Sequence, residues 1–134
     1  MSEAPYRVGY VVLHYNTDQD TVECINSIRR MTDNPIVIVC NGSKNDSDEF
    51  IEKYYENQMS IFVIKNNENK GFARGNNDGI RYLRQNNIAD IVVCINNDIV
   101  FTDASFEEKI VREYISSGYS VGGGGCSKPL RNSL

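Results

Sequence analysis

A chain of 134 residues, 40% hydrophobic and 24% charged, has the size and balance of one globular domain with its own core. Its net charge of −4 provides no basic surface to neutralise phosphates, which argues against general nucleic-acid binding. The longest strongly apolar run, Ile91 to Ile95, is far too short to cross a bilayer, and no basic segment leads into an apolar one at the N-terminus, so neither a span nor a secretion leader is read.

Along the chain, apolar runs alternate with helical patterns. Val8 to His14 predicts a buried strand. Thr17 can cap the helix that follows, with Asp20 three residues on, and Cys24, Ile25, Ile28 and Met31 fall on one helical face. After Pro35, Ile36 to Cys40 predicts a second strand, and Asn41-Gly42-Ser43 is a turn signal. Asp46 or Ser47 can cap a second helix whose apolar face is Phe50, Ile51 and Tyr54. Ile61 to Ile64 predicts the third strand. A polar loop, Asn66 to Lys70, leads into a third helix carrying Phe72, Ile80 and Leu83. Ile91 to Ile95 is the fourth strand, and a helix from about Ala104 to Ser117 should bury Phe106, Ile110, Val111, Tyr114 and Ile115. From Gly122 the periodicity stops. Consecutive glycines, Gly122 to Gly125, open a stretch read as a flexible tail over 122–134, which leaves 1–121 as the domain.

This alternation predicts an α/β fold, a parallel sheet with helices on both faces. Near-continuous apolar strands suit a sheet covered on both sides. Ligands of such sheets bind at the carboxyl ends of the strands. Those ends here are Tyr15-Asn16, Asn41-Gly42-Ser43, Asn66 to Asn69 and Asn96-Asn97-Asp98. Asparagine suits any turn, but asparagine at every strand end on one side of a sheet points to a site for hydroxyls, amides and phosphates. Gly75 and Gly79 lie inside the third helix, where each costs about 1 kcal/mol relative to alanine. They predict close approach of a ligand or a neighbouring backbone. The four cysteines form no CxxC pair and read as reduced thiols, and the single histidine, His14, reads as a packed strand residue.

Taken together, Val11-Val12-Leu13-His14-Tyr15-Asn16, the Asn-Gly-Ser turn, the stretch Asn69-Lys70-Gly71-Phe72-Ala73-Arg74-Gly75-Asn76-Asn77 and Asn96-Asn97-Asp98 resemble the family 2 glycosyltransferases, especially their rhamnosyltransferase-like branch. The likeness runs from about Val8 to Gly122. It implies a partial GT-A fold, Rossmann-like, with strand order 3-2-1-4. It also implies sugar transfer from a nucleoside-diphosphate sugar to an acceptor hydroxyl, with inversion. Asn96-Asn97-Asp98 resembles the family's Asp-x-Asp motif. Asp98 would then bind Mg2+ or Mn2+ on the donor diphosphate, and Asn96, in place of the first acid, would contact the sugar or ribose. Tyr15 and Asn16 would line the base pocket. Asn41 follows them on the second strand, and Asn69, Gly71, Asn76 and Asn77 would wall the nucleotide. Arg74 could reach a phosphate.

Two departures from the family pattern stand out. Cys40 occupies the place of an acid that reads the base, and a thiol is a poor acceptor; Asp46 or Asp48 is a conceivable substitute. The family's general base lies downstream of anything matched here, so the chain reads as a donor-binding half without the acceptor half and base. The catalytic residue is therefore not assignable. A saccharide or lipid-linked acceptor would be the second partner, and the expected location is the cytoplasm, including the inner face of its membrane. A bare fourth-strand edge predicts a homodimer, with a tail folded over that edge as the alternative. Two other functions compete. One is a non-catalytic sugar-nucleotide-binding module; the other, a flavodoxin-like signalling domain, lacks the acidic cluster it would need after the first strand.

Overall fold

The computed structural model describes residues 6–117. Their elements run β1 (Val8–His14), α1 (Asp18–Met31), β2 (Ile36–Asn41), α2 (Ser47–Tyr55), β3 (Ile61–Asn66), α3 (Phe72–Gln85), β4 (Ile91–Asn96) and α4 (Phe106–Ser117). The strands form one parallel sheet in the order β3-β2-β1-β4, as expected from the alternation of elements and the family resemblance. The glycine-rich stretch 122–134 lies outside the described residues.

Side-chain alternation along the strands divides the core in two. Tyr10, Val12, Ile36, Ile38, Cys40, Val93 and Ile95 face α1, α2 and α4, which contribute Ile25, Ile28, Ile51, Tyr55, Phe106 and Ile110. Val11, Val37, Val39, Val92 and Cys94 face α3, which contributes Ile80 and Leu83. Parallel strands covered on both faces have no polar side to display, which is why β1 and β2 read as unbroken apolar runs.

The helices differ from expectation in detail. Thr17 stands at the N-cap of α1 but makes no side-chain cap bond; Asp18 and Asp20 at the start, with Arg29 and Arg30 at the end, suit the helix dipole instead. In α2 the buried residues are Ile51 and Tyr55, while Phe50 and Tyr54 are 44% and 48% exposed. Both pairs are spaced i,i+4, and the 100° turn between them puts only one pair on the sheet. Phe50 and Tyr54 stack on each other instead. Phe72 is also half exposed. The last helix starts at Phe106, because Asp103 Oδ1 accepts the Ser105 N–H and hydroxyl in a turn ahead of it. Of its predicted face, Phe106 and Ile110 are buried, whereas Ile115 is 52% exposed. Among the described residues β4 is a terminal strand of the sheet, beside β1, and neither Val92 nor Cys94 on it is without a partner.

Candidate functional site

Parallel strands open all their carboxyl ends on one side, and there the loops are tied to one another. Asn16 has φ 64, a left-handed conformation that asparagine tolerates. Its N–H donates to Ser43 Oγ at 2.8 Å, its Oδ1 accepts the Lys44 N–H at 2.9 Å, and its carbonyl accepts from Asn45 Nδ2 at 2.9 Å. The loop after β1 is thereby fixed to the loop after β2. The N–H and hydroxyl of Ser43 both donate to the Asp48 carboxylate in the first turn of α2.

The second loop is fixed in turn to the third. Gly42 has φ 70, and a Cβ on it would stand 2.4 Å from the carbonyl carbon of Glu68, so no side chain fits between the two loops. Asn41, 2% exposed, extends the seam. Its Nδ2 donates to Asn69 Oδ1 at 3.0 Å and to the Gly71 carbonyl at 3.4 Å. Its Oδ1 accepts from Asn66 Nδ2 and the Lys70 N–H, both at 3.2 Å. Asn69 Oδ1 also accepts the Gly71 N–H at 2.7 Å. The fourth loop joins through Asn97, whose Nδ2 lies 2.9 Å from Thr17 Oγ1 and 3.1 Å from Thr21 Oγ1 in α1.

The residues singled out from the sequence therefore divide into two sets. Asn16, Asn41 and Asn69 use their polar groups on neighbouring loops and hold the rim together. Gly71, φ 87, is the N-cap of α3. Tyr15 is half-buried, and its carbonyl accepts the Thr17 N–H at 2.7 Å. Arg74, Asn77, Asn96 and Asp98 are exposed, and their side chains have no hydrogen-bond partner among the described residues. Asn97, between Asn96 and Asp98, is the one turned inward to α1.

Cys40 is completely buried in the cluster beneath α1 and α2, and burial, with Asp48 nearby, pushes its thiol up to about 12. It does not open onto the rim. Asp48 is 6% exposed and occupied by Ser43, so neither residue presents an open acceptor to a base. Asp46 is exposed at the N-cap of α2.

The helix glycines have a packing explanation. A Cβ on Gly75 would stand 2.6 Å from Leu13 Cδ1, and one on Gly79 would stand 2.6 Å from Val11 Cγ1. The nearest protein neighbour of each is a side chain of β1 rather than a backbone, and the glycines let α3 sit low on the sheet. Beside Gly75, Asn76 is 2% exposed, and neither its Nδ2 nor its Oδ1 has a hydrogen-bond partner among the described residues. The sequence marked Asn76 as a wall residue but carried no sign of this burial. Burial pushes the Asp78 carboxyl up, but hydrogen bonds from Arg81, Asn66 and Lys70 outweigh it and hold the carboxyl below its ordinary value. Asp78 thus ties the start of α3 to the loop before it.

Among the described residues no group of three or more His, Cys, Asp or Glu side chains is placed to hold a metal. A cation at the rim would rest on Asp98 and on oxygens brought by a ligand, a donor set that suits Mg2+ or Mn2+. A cavity of about 370 Å3, lined by Tyr6, Ile80, Arg84, Ala89, Val92 and Tyr114 among others, lies near the start of β4, away from this rim.

Residues 10–128 match the family model for glycosyl transferase family 2. The chain belongs to this family. No curated protein matches it significantly. Among solved structures, a similar one is the mannosyltransferase PcManGT from Pyrobaculum calidifontis in complex with GDP-Man and Mn2+, at TM-score 0.70 and 18% identity, over 81% of this chain and 32% of that one. S. aureus TarS in complex with UDP is similar at TM-score 0.62 and 19% identity, over 91% of this chain and 38% of that one. This family 2 chain thus spans about a third of the length of these structures. At such identities the likeness shows the fold, a GT-A-type parallel sheet. No helix among the described residues is long and apolar enough to cross a membrane.

Proposed function

We propose that this family 2 chain is the donor-binding part of a glycosyltransferase that moves a sugar from a nucleoside-diphosphate sugar to an acceptor hydroxyl with inversion. One observation carries the reading: the side chains of Asn96 and Asp98 stand exposed at the end of β4, without a hydrogen-bond partner among the described residues, on a rim whose other loops are locked together. Asp98 would hold a divalent cation, which supplies charge neutralisation for the departing diphosphate. Asn96 would hydrogen-bond the sugar or ribose. The first turn of α3 contains no acid, so its free N–H groups and Arg74 favour an anion beside it. Asn77, exposed beside the buried Asn76, would complete the wall. Inversion requires the acceptor hydroxyl to lose its proton to a base on the far side of the sugar. We place that base outside the strand-end loops. The nucleotide complexes of PcManGT and TarS support the donor class, and the Mn2+ of the former supports the cation.

Calorimetric titration with UDP, dTDP and GDP, each with and without Mn2+, is the test. Binding should require Mn2+, and Asp98→Ala should remove it while leaving the melting temperature unchanged, since the side chain is exposed. Cation-independent binding, or wild-type binding by the variant, would exclude the assignment. Hydrolysis or transfer assays with the corresponding nucleotide sugars then separate a transferase from a sugar-nucleotide-binding module.

A further inference from the structure

The rim has a buried root. His14, the last residue of β1, is 0% exposed. Its Nδ1 lies 2.6 Å from Thr21 Oγ1 in α1, and its Nε2 lies 3.1 Å from Ser47 Oγ and 3.4 Å from Asp48 Oδ1 at the start of α2. Each of these contacts continues outward. Asp48 accepts the N–H and hydroxyl of Ser43, and Ser43 Oγ accepts the Asn16 N–H. Thr21 Oγ1 accepts from Asn97 Nδ2. One core side chain is therefore joined, through a single intermediary on each path, to the loops after β2 and β4, and through Ser43 to the loop after β1. The grouping of Ser47, His14 and Asp48 is not a nucleophilic site: Ser47 and Asp48 are 6% exposed and His14 is not exposed at all, so no reacting atom can reach it.

We infer that His14 is a positioning residue for donor binding, fixing from within the core the relative placement of the loops after β1, β2 and β4. The inference rests on the donor-binding reading above. A neutral imidazole carries one donor and one acceptor, and two hydroxyls satisfy both. Burial keeps the ring neutral, holding it below its ordinary value against the opposing pull of Asp48 and Asp18. The cluster beneath α1 and α2 also holds the thiols of Cys24 and Cys40, pushed up to about 12 by burial, and the phenols of Tyr10 and Tyr55, which burial raises as well. A loop released from this root populates arrangements that do not bind, and apparent affinity falls by the competent fraction.

The test uses the full chain. Backbone amide exchange is followed at Asn16, Ser43 and Lys44, with Val11 and Val37 in the sheet as reference, and UDP affinity is measured in Mn2+. His14→Leu should speed exchange at the three loop amides about tenfold or more and leave the sheet amides unchanged. UDP binding should weaken about tenfold, as expected when the competent fraction falls to one tenth. His14→Gln, which retains a donor and an acceptor, should recover most of both. Ser43→Ala should reproduce the loss at Asn16, and adding it to His14→Leu should weaken binding no further. A measurement on the wild type covers the case in which His14→Leu fails to fold. In a pH titration the amide shifts of Asn16, Ser43 and Lys44 should move with the same midpoint as the His14 ring. Separate midpoints, unchanged loop exchange, or acceleration spread evenly through the sheet would overturn the inference. If the wild type binds no nucleoside diphosphate, the donor reading fails, while the exchange and titration data still decide whether His14 fixes the loops.

Discussion

Replacing Asn76 by leucine separates stability from binding. The side chain is 2% exposed, and both amide atoms lack a hydrogen-bond partner among the described residues. A buried polar group left unsatisfied costs about 1–3 kcal/mol. Two such groups at the low end give about 2 kcal/mol that a near-isosteric apolar side chain would recover. Leucine adds roughly 0.5 kcal/mol of helix propensity within α3. Asn76→Leu should therefore stabilise the chain by about 2–3 kcal/mol, or about 8–12 °C in melting temperature at roughly 4 °C per kcal/mol. The same substitution should leave nucleotide affinity within about twofold of wild type, because both amide atoms are buried away from the rim surface. Scanning calorimetry reads the first effect and isothermal titration with UDP and Mn2+ the second. A melting temperature equal to or below wild type would refute the reasoning, since it would mean that the amide is hydrogen-bonded in solution and leucine breaks those bonds.

Three further outcomes follow from the packing and the charges. Gly79→Ala places a methyl group 2.6 Å from Val11 Cγ1 and 3.1 Å from Val39 Cγ2, both on stiff, fully buried side chains. With two stiff neighbours in the way, overpacking of about 2–3 kcal/mol, the upper part of the usual range, should exceed the helix gain of about 1 kcal/mol, so chemical denaturation should show a net loss of about 1–2 kcal/mol. Cys40→Asp would put a carboxylate in the apolar cluster beneath α1 and α2, near Asp48, and should destabilise by about 3–5 kcal/mol without improving UDP affinity, as paired denaturation and titration would show. Because the folded chain keeps His14 below its ordinary value, the unfolded chain binds more protons just under pH 6.5. Stability should be complete above about pH 6.5 and fall as the pH drops through that value toward the folded midpoint. Denaturation midpoints from pH 7.5 to 5 should show this slope in wild type and not in His14→Gln.

The sheet was legible because its signal is one of continuity. Val8–His14 and Ile36–Cys40 are apolar without interruption, which suits only strands covered on both faces, and the connecting helical patterns then dictate parallel pairing. What the rim asparagines do was less legible. A turn asparagine looks the same in sequence whether it faces a ligand or a neighbouring loop, and Asn16, Asn41 and Asn69 face loops. Phe50 and Tyr54 were misplaced for a related reason: two i,i+4 pairs one residue apart have equal periodicity, and only tertiary contact chooses between them. The alternation of β2 could have located Cys40. Ile36 and Ile38 share its face, so the thiol had to enter the same layer as its apolar neighbours. The connection from His14 to Ser43 spans three elements, and no local pattern encodes it.

The interlocking of Gly42 with Glu68 and of Asn41 with the 66–71 segment also bears on how such a chain can diversify. A loop sewn to its neighbour cannot change length alone, since one inserted residue would break contacts on both sides of the seam. New ligand preferences are therefore cheapest to reach by exchanging side chains at the exposed positions the seam leaves free, namely 74, 77, 96 and 98. A combinatorial library confined to those four positions should keep the scaffold while sampling recognition, whereas one spread over residues 41–45 and 66–71 should yield mostly chains that have lost their shape.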